Sequence, residues 1–229
     1  MRRAYLEASV PLQQAVRTAV EWAGSPGSIH VPDTASVNDN LWLTKLGIPI
    51  TSPSARSRFQ GRPRGIVIGF CLNPSETLGL EQSGDVQGIV AVGAYGPLSH
   101  SQSVASFSPW ITAFDVEHLG GNQIDPTPEA SAPIKAAVEG LTFIAVENQG
   151  LLDRRERSAA VQALTYLRDR GIRLEPDALM VEALRNKWGG NGPEELRGIA
   201  LDLNAGKQLR YQKRLSDDAI EAWLRSGKA

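Results

Sequence analysis

Between Phe114 and Gly121 the chain reads FDVEHLGG, which sets Asp115, Glu117 and His118 side by side. Two carboxylates and an imidazole are the groups a divalent metal or an acid–base pair would use. On a strand, Asp115 and Glu117 share one face and His118 turns away. On a helical turn, Asp115 and His118 meet at i, i+3. Either way the set falls short of a coordination shell unless Asp33 or His100 joins it. The simpler expectation is exposed charge at an element's end, with no metal assigned.

A second place for chemistry lies at Gly65–Ala94, GIVIGFCLNPSETLGLEQSGDVQGIVAVGA. It has the order strand, tight turn, helix, strand. In open α/β sheets ligands settle beyond the carboxyl ends of the strands, and a helix N-terminus offers free N–H groups to an anion. Here, however, the turn lacks glycine, Pro74 removes a donor and Glu76 brings a negative charge. Asn73 as N-cap, Pro74 at the first helical position and Glu76 at the third form a capping box, so the turn is expected to cap its own helix. The polar residues at the expected strand ends form the candidate ligand-binding set: Asp33, Ser52, Asn73, Ser75 and Tyr95. No G-x-G-x-x-G follows a strand, and Gly206-Lys207 continues with Gln208, so neither a dinucleotide fingerprint nor a phosphate loop is present. No cofactor is assigned.

The histidines are His30, His100 and His118. His30 falls between apolar residues of a strand and is expected to pack there. His100 lies in SHSQS, but no G-x-S-x-G elbow aligns a serine with a base, and no catalytic residue is assigned. Cys71, the one cysteine, is expected to pack as a small apolar side chain; alone it excludes an internal disulfide or a cysteine-rich zinc site.

Two basic stretches are candidates for phosphate contact. ARSRFQGRPRG carries Arg56, Arg58, Arg62 and Arg64 around Phe59 on a loop. KQLRYQKRL is expected to place Lys207, Arg210 and Arg214 on one helical stripe beside Tyr211. The pair of helices around Gly171–Pro176 has too long a connection for the usual helix-turn-helix and few base-reading side chains.

The elements that must position these groups follow from periodicity. Leu12–Ala23 carries a helical apolar stripe, ended by Gly24-Ser25-Pro26-Gly27. Ile29–Val31, Ile48–Thr51 (an edge, given Pro49), Gly65–Phe70 and Gly88–Ala94 read as strands. Ser36–Leu46 reads as one helix with Gly47 at its C-cap, and Trp110–Val116 as a last strand. Near-continuous apolar runs in the central strands mark a sheet covered on both faces. IDPTPEASAP reads as a linker. Beyond it Ile134–Val146, Asp153–Arg170, Asp177–Trp188, Pro193–Ala205 and Asp217–Leu224 have helical spacing, with Gly171 and Gly206 as C-caps; Thr142–Val146 alone carries a trace of strand character. The expected fold class is therefore α/β: a mostly parallel, Rossmann-like sheet of about four or five strands over residues 1–125, a linker near 124–133, and a small all-α bundle over 126–229.

A formal charge of −1 over 229 residues, 41% of them hydrophobic, supplies no field that would drive the whole chain onto nucleic acid or an anionic membrane. The charge is mildly uneven, −4 over residues 1–150 and +3 over 151–229. Glu7 and Pro11 interrupt the N-terminal segment, no apolar run approaches the ~20 residues of a membrane helix, and a cytoplasmic chain is the expectation. The functional expectation is a non-catalytic binding or interaction protein whose helical part contacts a protein partner or a second copy, with nucleic acid a further possibility. The alternative is a nucleotide-using or hydrolytic enzyme with its site at the strand ends.

Overall fold

The computed structural model describes residues 1–54, 56–97, 105–144 and 153–226. Its described residues fall into two compact units, one of residues up to 125 and the other of residues from 126 on.

The first unit is a six-stranded, all-parallel, Rossmann-like sheet. Its elements in chain order are β1 (Arg2–Glu7), α1 (Leu12–Ala23), β2 (Pro26–His30), α2 (Thr34–Asn38), a 3₁₀ helix (Leu41–Leu46), β3 (Ile50–Thr51), β4 (Gly65–Phe70), α3 (Pro74–Glu81), β5 (Val86–Ala94), α4 (Ser108–Phe114) and β6 (Glu117–Gly120). The strand order is β3-β2-β4-β5-β1-β6. Ala15, Val16 and Ala19 of α1, with Val37 and Leu43, bury one sheet face against Leu6, Ile29, Ile68 and Val90. Two-residue β3 lies at the edge, where Pro49 is tolerated because no ladder partner needs its missing N–H.

Several local expectations change. The sheet has six strands, one more than the widest expectation. The added strand is β1, whose Ala4-Tyr5-Leu6 core is fully buried, yet three apolar residues between charged ends give no periodic signal. Ser36–Leu46 is not one helix. Asn40 donates its side-chain amide to the Ser36 carbonyl at 3.0 Å, and this local bond competes with helix propagation; α2 stops and the chain restarts as the 3₁₀ helix. Gly47 does cap it in the left-handed region, φ 69°. Trp110–Val116 is no strand. Ser108-Pro109 opens α4 there, and Asp115, at φ 50°, closes it with its N–H on the Ile111 carbonyl. The sixth strand is β6, four mostly polar residues at the other edge.

The second unit packs α5 (Ala132–Ile144), α6 (Arg154–Asp169), α7 (Pro176–Arg185), α8 (Gly192–Asn204) and α9 (Asp217–Ser226) around one core of Ala137, Leu141, Leu164, Leu179, Leu196 and Ile220, among others. Thr142–Ile144 is helical, and residues 145 and 146 lie outside the described residues. Asp153 opens α6 with a capping box closed by Glu156.

Three helices of this unit end alike. After α6, α7 and α8 the chain makes the paired C-terminal bonds of a Schellman motif, for example Lys187 N–H to Leu184 O and Trp188 N–H to Ala183 O, both 3.0 Å. The left-handed position is Gly171 (φ 82°) and Gly206 (φ 77°) in two of them but Lys187 (φ 63°) in the third. A Cβ in that region is penalised by about 1–2 kcal/mol. Lys187→Gly is therefore expected to raise stability by about 0.5–1 kcal/mol, after the greater chain entropy of glycine is set against the relieved strain. Urea unfolding compares the two proteins.

Candidate functional site

In a parallel sheet every strand-end loop lies along one edge. The chain leaves β2 towards β3 and leaves β4 towards β5, in opposite directions from adjacent strands. The crevice between diverging connections is where α/β proteins place ligands. Here it is bordered by Pro32-Asp33 and by Cys71-Leu72-Asn73.

Asp33, Ser52 and Asn73 there already have structural tasks. Asp33 Oδ1 accepts the Ser36 N–H and the Ser36 hydroxyl, both at 2.8 Å, and these bonds hold its carboxyl below the usual range. Asn73 Oδ1 accepts the Glu76 N–H at 2.9 Å while Glu76 Oε2 accepts the Asn73 N–H at 2.8 Å. The capping box forms as the sequence requires. Ser52 Oγ donates to the Pro32 carbonyl at 3.2 Å. Ser75 sits exposed in the first turn of α3. Tyr95 packs edge-on against Phe107, centroids 5.4 Å apart; burial and then the nearby negative charge of Glu76 push its phenol up. The five residues thus form two groups on one sheet edge, Asp33 with Ser52 and Asn73 with Ser75 and Tyr95.

His30 ends β2 nearly inaccessible, its Nδ1 sharing a 2.8 Å hydrogen bond with Thr51 Oγ1. Burial lowers its pKa from 6.5, so the folded state favours the neutral ring. Stability is fully present above the unfolded value of 6.5. It falls as pH drops below that value, because the unfolded ring takes up a proton that the folded ring resists until its lower pKa is reached. His30→Gln is expected to flatten the pH dependence between pH 7 and 5, as urea midpoints across that range would record.

Cys71 is the feature of this edge that the sequence did not reveal. It is a non-glycine residue at φ 52° in the β4–α3 turn, and its Sγ lies against Gly93, where an added Cβ would stand 3.4 Å away. Burial pushes its thiol up, yet the residue as a whole is exposed and is not the packed small apolar side chain its place at the end of a strand suggests. No local residue pattern marks such a turn, since glycine is what usually signals it.

The other expected clusters separate. Asp115 ends α4; Glu117 Oε2 accepts the Trp22 indole N–H at 2.7 Å; the His118 ring stacks on Tyr5 at 4.8 Å. His100 lies outside the described residues. Among the described residues no group of three His, Cys, Asp or Glu side chains is placed to hold a metal ion. In the β3–β4 loop, Arg58 reaches Asn38 Oδ1 at 3.2 Å and covers Phe59 at 4.7 Å. Arg64, by contrast, adjoins the start of β4, with its N–H on Ser28 Oγ at 3.4 Å. Arg56 and Arg62 are exposed. The Lys207–Arg214 segment is not the expected helix. It follows α8 without regular secondary structure, held by Gln162, whose Oε1 accepts the Arg214 and Leu215 N–H groups at 2.7 and 3.0 Å and whose amide donates to Leu215 O at 2.9 Å. An i, i+3, i+4 stripe therefore does not form. Lys207 pairs with Asp202 at 2.6 Å and Lys213 with Asp217 at 3.0 Å, while Arg210 stays exposed.

A second concavity of the first unit lies away from the strand ends. α1 and the 3₁₀ helix flank a cavity of about 310 Å³, walled by Val16, Val20, Trp42 and Leu46 and edged by Arg17 and Lys45. No local pattern marks it, since Leu41, Leu43 and Leu46 are equally apolar in sequence and only the fold separates the packed one from the open ones. In the fold Leu43 is buried, while Leu41 and Leu46 are 59% and 38% exposed.

No helix among the described residues is long and apolar enough to cross a membrane. The family described as a domain of unknown function, DUF1889, matches residues 132–224, the stretch from α5 into α9. No curated protein and no solved structure matches the chain.

Proposed function

We propose that this protein acts by binding, not by catalysis: an α/β unit that receives a ligand, joined to a helical unit that contacts a protein partner or a second copy. One observation carries the reading. The polar side chains at the β2–β4 crevice are spent on their own backbone, Asp33 capping α2 and Asn73 capping α3, whereas the α1 groove keeps apolar side chains open to solvent. The helical unit likewise leaves Phe143, 76% exposed, and Ile144, 45% exposed, at the end of α5; exposed apolar groups of this kind favour a partner contact. Nucleic acid is served less well, because two of the four cations in the 207–214 segment are paired with carboxylates.

A nucleotide-using or hydrolytic enzyme is the second reading. The left-handed Cys71 favours it, since a strained backbone at a strand-end turn is a feature functional sites share. Thermal melting of the full chain with ATP, NAD, Mg²⁺ or a short single-stranded DNA separates the two. Ligands that bind only the native state raise Tm. The binding reading expects no rise with ATP, NAD or Mg²⁺. A rise that Asp33→Ala or Asn73→Ala removes overturns it in favour of the enzyme.

A further inference from the structure

The groove between α1 and the 3₁₀ helix has the volume, the lining and the charge for one class of small molecule. Its volume of about 310 Å³ lies at the lower end for small-molecule pockets. Its floor is aliphatic and aromatic. Val16 is fully buried beneath it, and Trp42 is fixed from two sides. The Trp42 indole N–H donates to Asn40 Oδ1 at 3.2 Å, and its ring meets Phe70 edge-on at 6.1 Å. With its polar atom already satisfied, the ring offers the groove only apolar surface.

The lip is cationic on both walls. Arg17 stands on α1 and Lys45 on the 3₁₀ helix. Among the described residues neither has an ion pair or a side-chain hydrogen bond. Glu21, one helical turn beyond Arg17, is the one carboxylate of the lining. An apolar tail on the floor with a single carboxylate between Arg17 and Lys45 fits this distribution, whereas a second negative charge would face Glu21. We propose that the groove binds a medium-chain aliphatic monocarboxylate. This deepens the binding reading above and names its ligand.

Isothermal titration of the full chain with sodium decanoate tests it. Saturable one-to-one binding is expected, with decyltrimethylammonium at least tenfold weaker because its cation meets Arg17 and Lys45. The double variant Arg17→Gln/Lys45→Gln is expected to weaken decanoate about threefold to tenfold, the range for exposed charge pairs. Leu46→Glu, which puts a carboxylate at the rim, is expected to abolish binding. If Leu46→Glu fails to fold by circular dichroism, the charge variant, whose two sites are both exposed, decides alone. Absence of saturable heat, equal affinity for the two amphiphiles, or decanoate affinity unchanged in the charge variant overturns the proposal. Those results would leave the binding reading standing. A nucleotide-dependent rise in Tm that Asp33→Ala removes would instead overturn that reading, whatever decanoate does.

Discussion

Gly140→Ala is expected to destabilise the helical unit by about 1–3 kcal/mol, the usual range for an overpacked core. Gly140 lies in α5 and faces α9. A Cβ built there would stand 2.3 Å from Trp223 Cζ2, 2.6 Å from Cε2 and 2.7 Å from Nε1. No real Cβ sits so close to a ring, so the indole or the whole of α9 must move. The indole packs against the unit's core, and its displacement also loosens Ile220, which is fully buried about one turn earlier on the same helix. Helix propensity alone predicts the reverse sign, since alanine is better than glycine in a helix interior by about 1 kcal/mol. Gly198 in α8 supplies the control. Nothing lies within 4 Å of its virtual Cβ, and Gly198→Ala is expected to stabilise by about 0.5–1 kcal/mol. Urea unfolding followed by circular dichroism compares the two. If both alanines stabilise, the close approach of α5 and Trp223 is wrong.

That contrast also shows what a sequence discloses. Gly140 and Gly198 are alike in one dimension, each a lone glycine in a helical pattern, and only the partner helix tells them apart. Local devices were legible. Asn73, Pro74 and Glu76 specify their capping box within four residues, and Gly171 and Gly206 specify their helix ends, because every group involved is close in the chain. Lys187 occupies the same kind of end without the residue that announces it. β1 carries no local signature because its identity as a strand comes from pairing with β5 and β6, not from its three apolar residues. Residue type alone marks the strand-end candidates, yet a polar residue at a strand end is what a ligand needs and also what a helix cap needs. Asp33 and Asn73 satisfy the second demand. The α1 groove was invisible for the opposite reason: its walls come from two elements that the sequence does not place side by side.

The same long-range logic gives Glu81 the greatest weight in the sheet unit. Its carboxylate, 10% exposed, receives Arg3 of β1 in two bonds, Nε to Oε1 at 2.8 Å and the second guanidinium nitrogen to Oε2 at 2.9 Å. Oε1 also accepts the indole N–H of Trp110 in α4 at 2.8 Å. The Arg3 guanidinium lies over the Phe114 ring at 4.1 Å. One side chain at the end of α3 thus ties β1 to α4. Glu81→Leu strands a guanidinium whose side chain is 20% exposed and a buried indole N–H. It is expected to cost about 3 kcal/mol, the lower end for a broken buried pair because Arg3 keeps some solvent. Glu81→Gln, which retains an acceptor for Trp110, is expected to cost about half as much. Arg3→Met in the Glu81→Leu background removes the orphaned charge and is expected to recover about 1–2 kcal/mol, a coupling that a double-mutant cycle in urea measures directly. If the two substitutions simply add, Arg3 and Glu81 act independently and the tie between β1 and α4 must lie elsewhere.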